Sequence, residues 1–228
     1  MFCKRNPDIV IVDSKIISEA PARLLVSGMG DALSTWFEAE SCRIKNANNM
    51  AGGIGTNAGF TIAKLCYELI LKYGLQAKLA CESKIVTPAL EHIIEANILL
   101  SGIGFECGGL AAAHAIHDGL TLLPEKHSYL HGEKVAFGLL TSLYLTDKPT
   151  NIIDNLYNFY LTIGLTVTFY DIGMDKINDG KLLEAIEHIC AEGETIYNEP
   201  VLFTKVDILN ALKMADAFGK YKKEMANE

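Results

Sequence analysis

Long apolar runs are scarce in this 228-residue sequence, and none approaches the ~18 uncharged residues that a membrane-spanning helix needs. No membrane partner is expected. The N-terminal MFCKRNPD has no long apolar stretch behind its basic residues, so no targeting signal is expected either, and the expected location is the cytoplasm. Positive charge is in deficit: 20 Lys and Arg stand against 28 Asp and Glu, a formal net charge of −8. That balance disfavours capture of phosphate backbones or anionic lipid and removes nucleic acid from the expected partners. The six cysteines, Cys3, Cys42, Cys66, Cys81, Cys107 and Cys190, include no Cys-x-x-Cys pair. A disulfide framework and a thiolate zinc site both lose support, which leaves reduced thiols packed as small core residues. Repeats, low-complexity tracts and Pro-rich or Ser-rich linkers are missing as well.

What is present is enough apolar material for a core. With 50% hydrophobic and 21% charged residues the chain reads as globular. At roughly 100–200 residues per domain it holds one domain, or one domain plus part of another. Ile9-Val10-Ile11-Val12, entered from Pro7-Asp8 and closed by Asp13, predicts a short strand. From Glu19 onward apolar residues recur at helical spacing, as in Ile62, Leu65, Cys66, Leu69 and Tyr73, or Leu182, Leu183, Ile186, Ile189 and Cys190. The fold class is therefore mainly α, a helical bundle with one short N-terminal strand. A lone strand leaves both edges unpaired and needs a sheet that these residues do not supply.

Helix boundaries carry chemical marks. Thr87-Pro88 predicts a helix start that turns Leu90, Ile93 and Ile94 inward, since proline at the first position loses no hydrogen bond. Thr204 and Asp207 form a capping-box pattern before Ile208, Leu209, Leu212, Ala215 and Phe218, with Gly219 as the expected stop. Gly52-Gly53-Ile54-Gly55 predicts a turn ahead of another helix.

Four of the six histidines, His114, His117, His127 and His131, fall in one short stretch. His92 and His127 read as surface residues. His114 lies mid-helix in an alanine-rich segment that Gly119 is expected to end, with His117 nearly one turn later. His131 precedes Gly132-Glu133-Lys134 and a strongly apolar helix from Val135 to Leu145. Ser27-Gly28-Met29-Gly30-Asp31 predicts a tight turn in which Asp31 opens a helix. Asp31, His114 and His131 together would offer one carboxylate and two imidazoles to a divalent cation with a position left open, a catalytic zinc pattern. A plain N-cap at Asp31 and a carbonyl-bonded core histidine at His114 are the other readings, and spacing permits the trio without deciding.

Longer stretches carry a resemblance. They include Asn6-Pro7-Asp8, Ala20-Pro21-Ala22-Arg23, Gly28-Met29-Gly30-Asp31-Ala32, Asn49-Met50-Ala51-Gly52-Gly53 and Val86-Thr87-Pro88-Ala89-Leu90-Glu91. They continue through Gly108-Gly109-Leu110-Ala111-Ala112-Ala113-His114, His131-Gly132-Glu133-Lys134-Val135-Ala136-Phe137-Gly138, Ala191-Glu192-Gly193-Glu194-Thr195 and Asn198-Glu199-Pro200. In this order, over nearly the whole chain, they resemble the C-terminal helical domain of the glycerol dehydrogenase family within the iron-containing alcohol dehydrogenase superfamily.

The resemblance implies a zinc ion on Asp31, His114 and His131, with Fe2+ or Mn2+ as alternatives, and leaves His117 out of the ligand set, either as a support behind the ligands or as a residue simply packed beneath the site. Iron-preferring relatives carry a further histidine one turn after the aspartate, where this chain has Thr35. The implied reaction oxidises glycerol, or a similar small vicinal diol, to dihydroxyacetone with hydride passing to NAD. A homo-oligomer is a further implied association. The family's dinucleotide-binding domain is expected to be absent, because no G-x-G-x-x-G turn follows a strand. Residues 1–18 then read as a remnant strand and connection, and 19–228 as the metal-binding and substrate-binding domain. NAD would bind only where another chain supplied that domain. Two other readings stand beside the catalytic half: a non-catalytic helical fragment or interaction module that keeps the fold without turnover, and a metal-dependent lyase like dehydroquinate synthase.

Overall fold

The computed structural model describes residues 7–123 and 129–226, and ten α-helices account for most of them. In chain order they are α1 (Ser14–Glu19), α2 (Ala22–Lys45), α3 (Asn57–Glu82), α4 (Pro88–Glu95), α5 (Ser101–Gly108), α6 (Ala112–Thr121), α7 (His131–Leu145), α8 (Thr150–Ile163), α9 (Asp179–Ile189) and α10 (Lys205–Ala226). A π-helical turn, Ala96–Leu100, joins α4 to α5. No single helix among the described residues is long and apolar enough to cross a membrane.

Side-chain caps start several helices where the sequence marks them. The Leu90 N–H donates to Thr87 Oγ1 at 3.3 Å with Pro88 at the first position. The Thr204 N–H donates to Asp207 Oδ2 at 2.7 Å, and the Asp207 N–H donates back to Thr204 Oγ1 at 3.3 Å. Gly164, with φ 78°, takes the left-handed conformation that ends α8.

α7 is the axis of the bundle. Val135, Ala136, Phe137, Leu139, Leu140 and Leu143 are fully buried, and every residue from Gly132 to Leu143 is shielded, so the helix is wrapped on all sides. α2, α6 and α10 pack around it, while α3, α4 and α5 close on the far side of α2. Cys42, Cys66 and Cys81 are buried free thiols, as their scatter predicts, and Cys107 and Cys190 are half-buried. Cys3 lies outside the described residues.

Three expectations need correction. Ile9–Val12 is not a strand: it pairs with nothing among the described residues, and Ile11 is 88% exposed. β-branched residues favour extension, but a strand exists only through its ladder. Gly119 and Gly219 do not end their helices, for α6 runs to Thr121 and α10 to Ala226. Both glycines mark crowding instead: an added methyl group would lie 2.4 Å from Ile189 Cγ1 at Gly119 and 1.9 Å from Val167 O at Gly219. The Gly28–Asp31 segment is no turn either, because α2 passes through it unbroken and Asp31 sits mid-helix. At Gly30 the missing side chain is used for approach rather than for φ freedom, since a methyl group there would meet Gly132 O at 2.7 Å.

Candidate metal centre

Two backbone contacts set the geometry of the centre. A methyl group at Gly132 would stand 1.9 Å from Ser27 O, so α7 and α2 touch main chain to main chain beside Asp31 and His131. One at Gly138 would stand 2.3 Å from Ala113 O, so α7 and α6 touch in the same way beside His114. Glycine at these points lets three helices converge closely enough for their side chains to share one gap.

Asp31 from α2, His114 from α6 and His131 at the start of α7 meet there, with one ligand atom from each lying within 4.8 Å of the others. His114 Nε2 is 3.3 Å and His131 Nε2 is 3.4 Å from Asp31 Oδ1. The His131 side chain is 52% exposed and that of Asp31 36%, so the gap opens to solvent on one side.

Each imidazole is held from behind. His114 Nδ1 lies 2.6 Å from Glu38 Oε2, and Glu38, nearly fully buried, also accepts the backbone N–H groups of Ala111 (2.9 Å) and His114 (3.1 Å) on Oε1. A carboxylate only accepts, so Nδ1 carries a proton, and Nε2 is the nitrogen that faces the gap and would give its lone pair to a cation on losing its own proton. His131 Nδ1 lies 3.1 Å from His117 Nε2, and His117 Nδ1 lies 2.9 Å from Asp118 Oδ1. The start of α7 is fixed by Arg23, whose Nε and Nη2 reach Glu133 at 2.6 and 2.8 Å, while Glu133 Oε2 accepts the Leu130 N–H at 2.9 Å.

The electrostatics call for positive charge. Burial works to raise the Asp31 carboxyl, but the His114 and His131 imidazoles beside it outweigh burial and hold the group well below the usual carboxylate range. Burial likewise opposes the His114 imidazolium, yet the Glu38 charge and the Asp31 and Glu38 hydrogen bonds push it up to about 10. At His117 burial wins over the pull of Asp118 and lowers the group. One carboxylate oxygen and two imidazole nitrogens, each backed by an acceptor, suit zinc or a similar divalent ion with a position open. The donor set therefore fits a divalent cation of the kind the resemblance implies.

Thr35 takes no part. It is buried, and its Oγ1 lies 3.2 Å from Ser101 Oγ on α5. His92 is half-buried, stacked on Tyr73 with ring centroids 4.5 Å apart, and His188 is exposed on α9. His127 lies outside the described residues.

Sequence reasoning missed Glu38, Asp118 and Glu199. Glu38 had a usable signal, since it follows Asp31 by two helical turns and shares its face. Glu199 had none, being 87 residues from its partner. It is buried, accepts the Ala112 N–H at 3.0 Å and the Ser41 hydroxyl at 2.6 Å, and so pins the start of α6. Burial, with Glu38 nearby, pushes it up to about 7 from an ordinary 4.5 against the hydrogen bonds of Ser41 and Ala112. An acid raised in this way stabilises the fold fully below its unfolded value, and the contribution is lost as pH rises through about 7. Glu199→Gln, which keeps an acceptor for Ala112, should match the native chain near pH 5 and exceed its stability at pH 8 by on the order of 1–3 kcal/mol in urea denaturation.

No family model matches the chain. The glycerol dehydrogenase of Thermotoga maritima is 55% identical over 99% of this chain and 62% of its own length, and that of Citrobacter freundii 50% identical over 95% and 59%. The crystal structure of glycerol dehydrogenase from Schizosaccharomyces pombe superposes with a TM-score of 0.96 at 39% identity, covering the whole of this chain and 59% of that one. The chain thus spans about three-fifths of the length of these relatives.

Proposed function

We propose that this chain, which belongs with the glycerol dehydrogenases in the iron-containing alcohol dehydrogenase family, is the metal-holding part of an NAD-dependent enzyme that oxidises glycerol or a similar vicinal diol. The observation that carries the proposal is the convergence of Asp31, His114 and His131, in a chain whose relatives bear that name. Zinc is the favoured ion, because the set is one oxygen and two imidazole nitrogens and Thr35, bonded to Ser101, adds no fourth ligand. A divalent cation bound there supplies Lewis-acid polarisation of a substrate hydroxyl.

The chain's own residues do the rest by orientation. Glu38 fixes the His114 ring and the first turn of α6 together. Asp31 stays ionised and so offers a carboxylate oxygen to the cation. The solvent-facing side, where His131 is half-exposed, is the side from which a diol would approach. NAD would be held by a dinucleotide-binding domain, which the described residues do not form. The exposed apolar run Ile9–Val12, with side chains on both faces, is suited to pairing in the sheet of such a domain. The segment before residue 19 would then connect the two parts, in a cytoplasmic enzyme.

The test is spectrophotometric. This chain alone should form no NADH from glycerol and NAD, whereas fusion to, or mixing with, the dinucleotide-binding domain of a relative should yield glycerol-dependent NADH that Asp31→Ala abolishes. Turnover by the chain alone contradicts the division of labour. A complex that binds NAD yet stays inert favours the helical module without turnover.

A further inference from the structure

The two imidazoles of the centre end on carboxylates by unequal routes: His114 reaches Glu38 directly, while His131 reaches Asp118 only through His117. We infer that His117, oriented by Asp118, is a positioning residue that holds His131 in the one tautomer whose Nε2 can give a lone pair to a cation. This inference rests on the metal-site reading above.

The Asp118 carboxylate only accepts, so the proton on the His117 ring is at Nδ1, 2.9 Å away. In a neutral imidazole the other nitrogen is then an acceptor. Facing it are His131 Nδ1 at 3.1 Å and the Thr121 hydroxyl at 3.2 Å; the ring nitrogen is the nearer donor to that one lone pair, and a proton held there leaves His131 Nε2 bare. That bare nitrogen is the one 3.4 Å from Asp31 Oδ1. Without an acceptor behind it, His131 at the exposed end of α7 is free to carry its proton on Nε2 and to turn away.

Burial and two contacts keep the His117 ring in place. Its side chain is buried, Thr121 Oγ1 one turn along α6 lies 3.2 Å from Nε2, and the ring stands edge-on to that of His131 with centroids 4.3 Å apart. Asp118, 65% exposed at its side chain, closes the chain at the surface. α6 thus carries a ligand in His114 and, one turn on, the support of the ligand on α7.

The inference is tested by zinc affinity of the whole chain in competition with a chromophoric chelator. His117→Leu should bind zinc about 10–100-fold more weakly than the native chain, the range found for partners behind a ligand. His117→Gln, whose side-chain oxygen replaces the Nε2 acceptor, should restore most of that affinity, and Asp118→Ala should fall between them. In the zinc-loaded protein a slowly exchanging His131 Nδ1–H proton signal should appear in the native chain and His117→Gln and vanish in His117→Leu. A role in packing alone predicts the reverse order, with leucine the better replacement. Native affinity in His117→Leu, or equal damage in His117→Gln, overturns the inference. Loss of zinc from Asp31→Ala beside an unaffected His117→Leu overturns it alone, whereas unaffected binding in Asp31→Ala overturns the metal site and this inference together.

Discussion

Glu38→Gln is expected to weaken zinc binding by at least about 10–100-fold with the helical content unchanged. The reason is a mismatch of donors. Glu38 accepts three hydrogen bonds, two from backbone N–H groups on Oε1 and one from His114 Nδ1 on Oε2. Glutamine has one oxygen, and the two backbone donors claim it, because leaving both unpaired in a buried place costs about 1–3 kcal/mol each. The amide NH2 then faces His114 Nδ1 and forces that nitrogen to accept. The proton moves to Nε2, the atom 3.3 Å from Asp31, and the lone pair that would meet a cation is gone. Calorimetric titration with zinc checks this, and a glutamine variant with native affinity would show that the His114 tautomer is not set by Glu38.

Gly132→Ala should lower stability by about 3 kcal/mol or more in urea denaturation, at the upper end for overpacking. Its methyl group would lie 1.9 Å from Ser27 O and 2.7 Å from the Ser27 carbonyl carbon, main-chain atoms that cannot swing aside. α2 and α7 would have to separate, and Asp31 and His131 with them, so zinc affinity should fall alongside stability. Gly102→Ala is the matched control: a methyl group there meets nothing within 4 Å, and it should gain about 0.5–1 kcal/mol through the lower backbone entropy of the unfolded chain. Equal effects from the two substitutions would mean that helix propensity, and not the α2–α7 contact, governs this position.

The centre was legible in the sequence as far as residue chemistry goes. Asp31, His114 and His131 are the residue types a borderline cation needs, and Thr87 and the Thr204–Asp207 pair mark helix starts through bonds only a few residues long. Meanings that depend on distant neighbours were lost. Gly28, Gly30, Gly119 and Gly219 looked like turns or stops, because the local signal of glycine is conformational, whereas here its use is steric and set by another helix. Ile9–Val12 has the composition of a strand, but its partners are not among the described residues. Glu38 was within reach of periodicity, while Glu199 meets Ala112 only through the tertiary fold.

The most direct measurement is the zinc content of the intact chain after purification and dialysis, set beside Asp31→Ala, His114→Ala and His131→Ala. A metal centre on these three residues predicts about one zinc per native chain and next to none in each variant, with circular dichroism unchanged. Equal zinc in native and variant chains, or none in the native chain at micromolar supply, would contradict it.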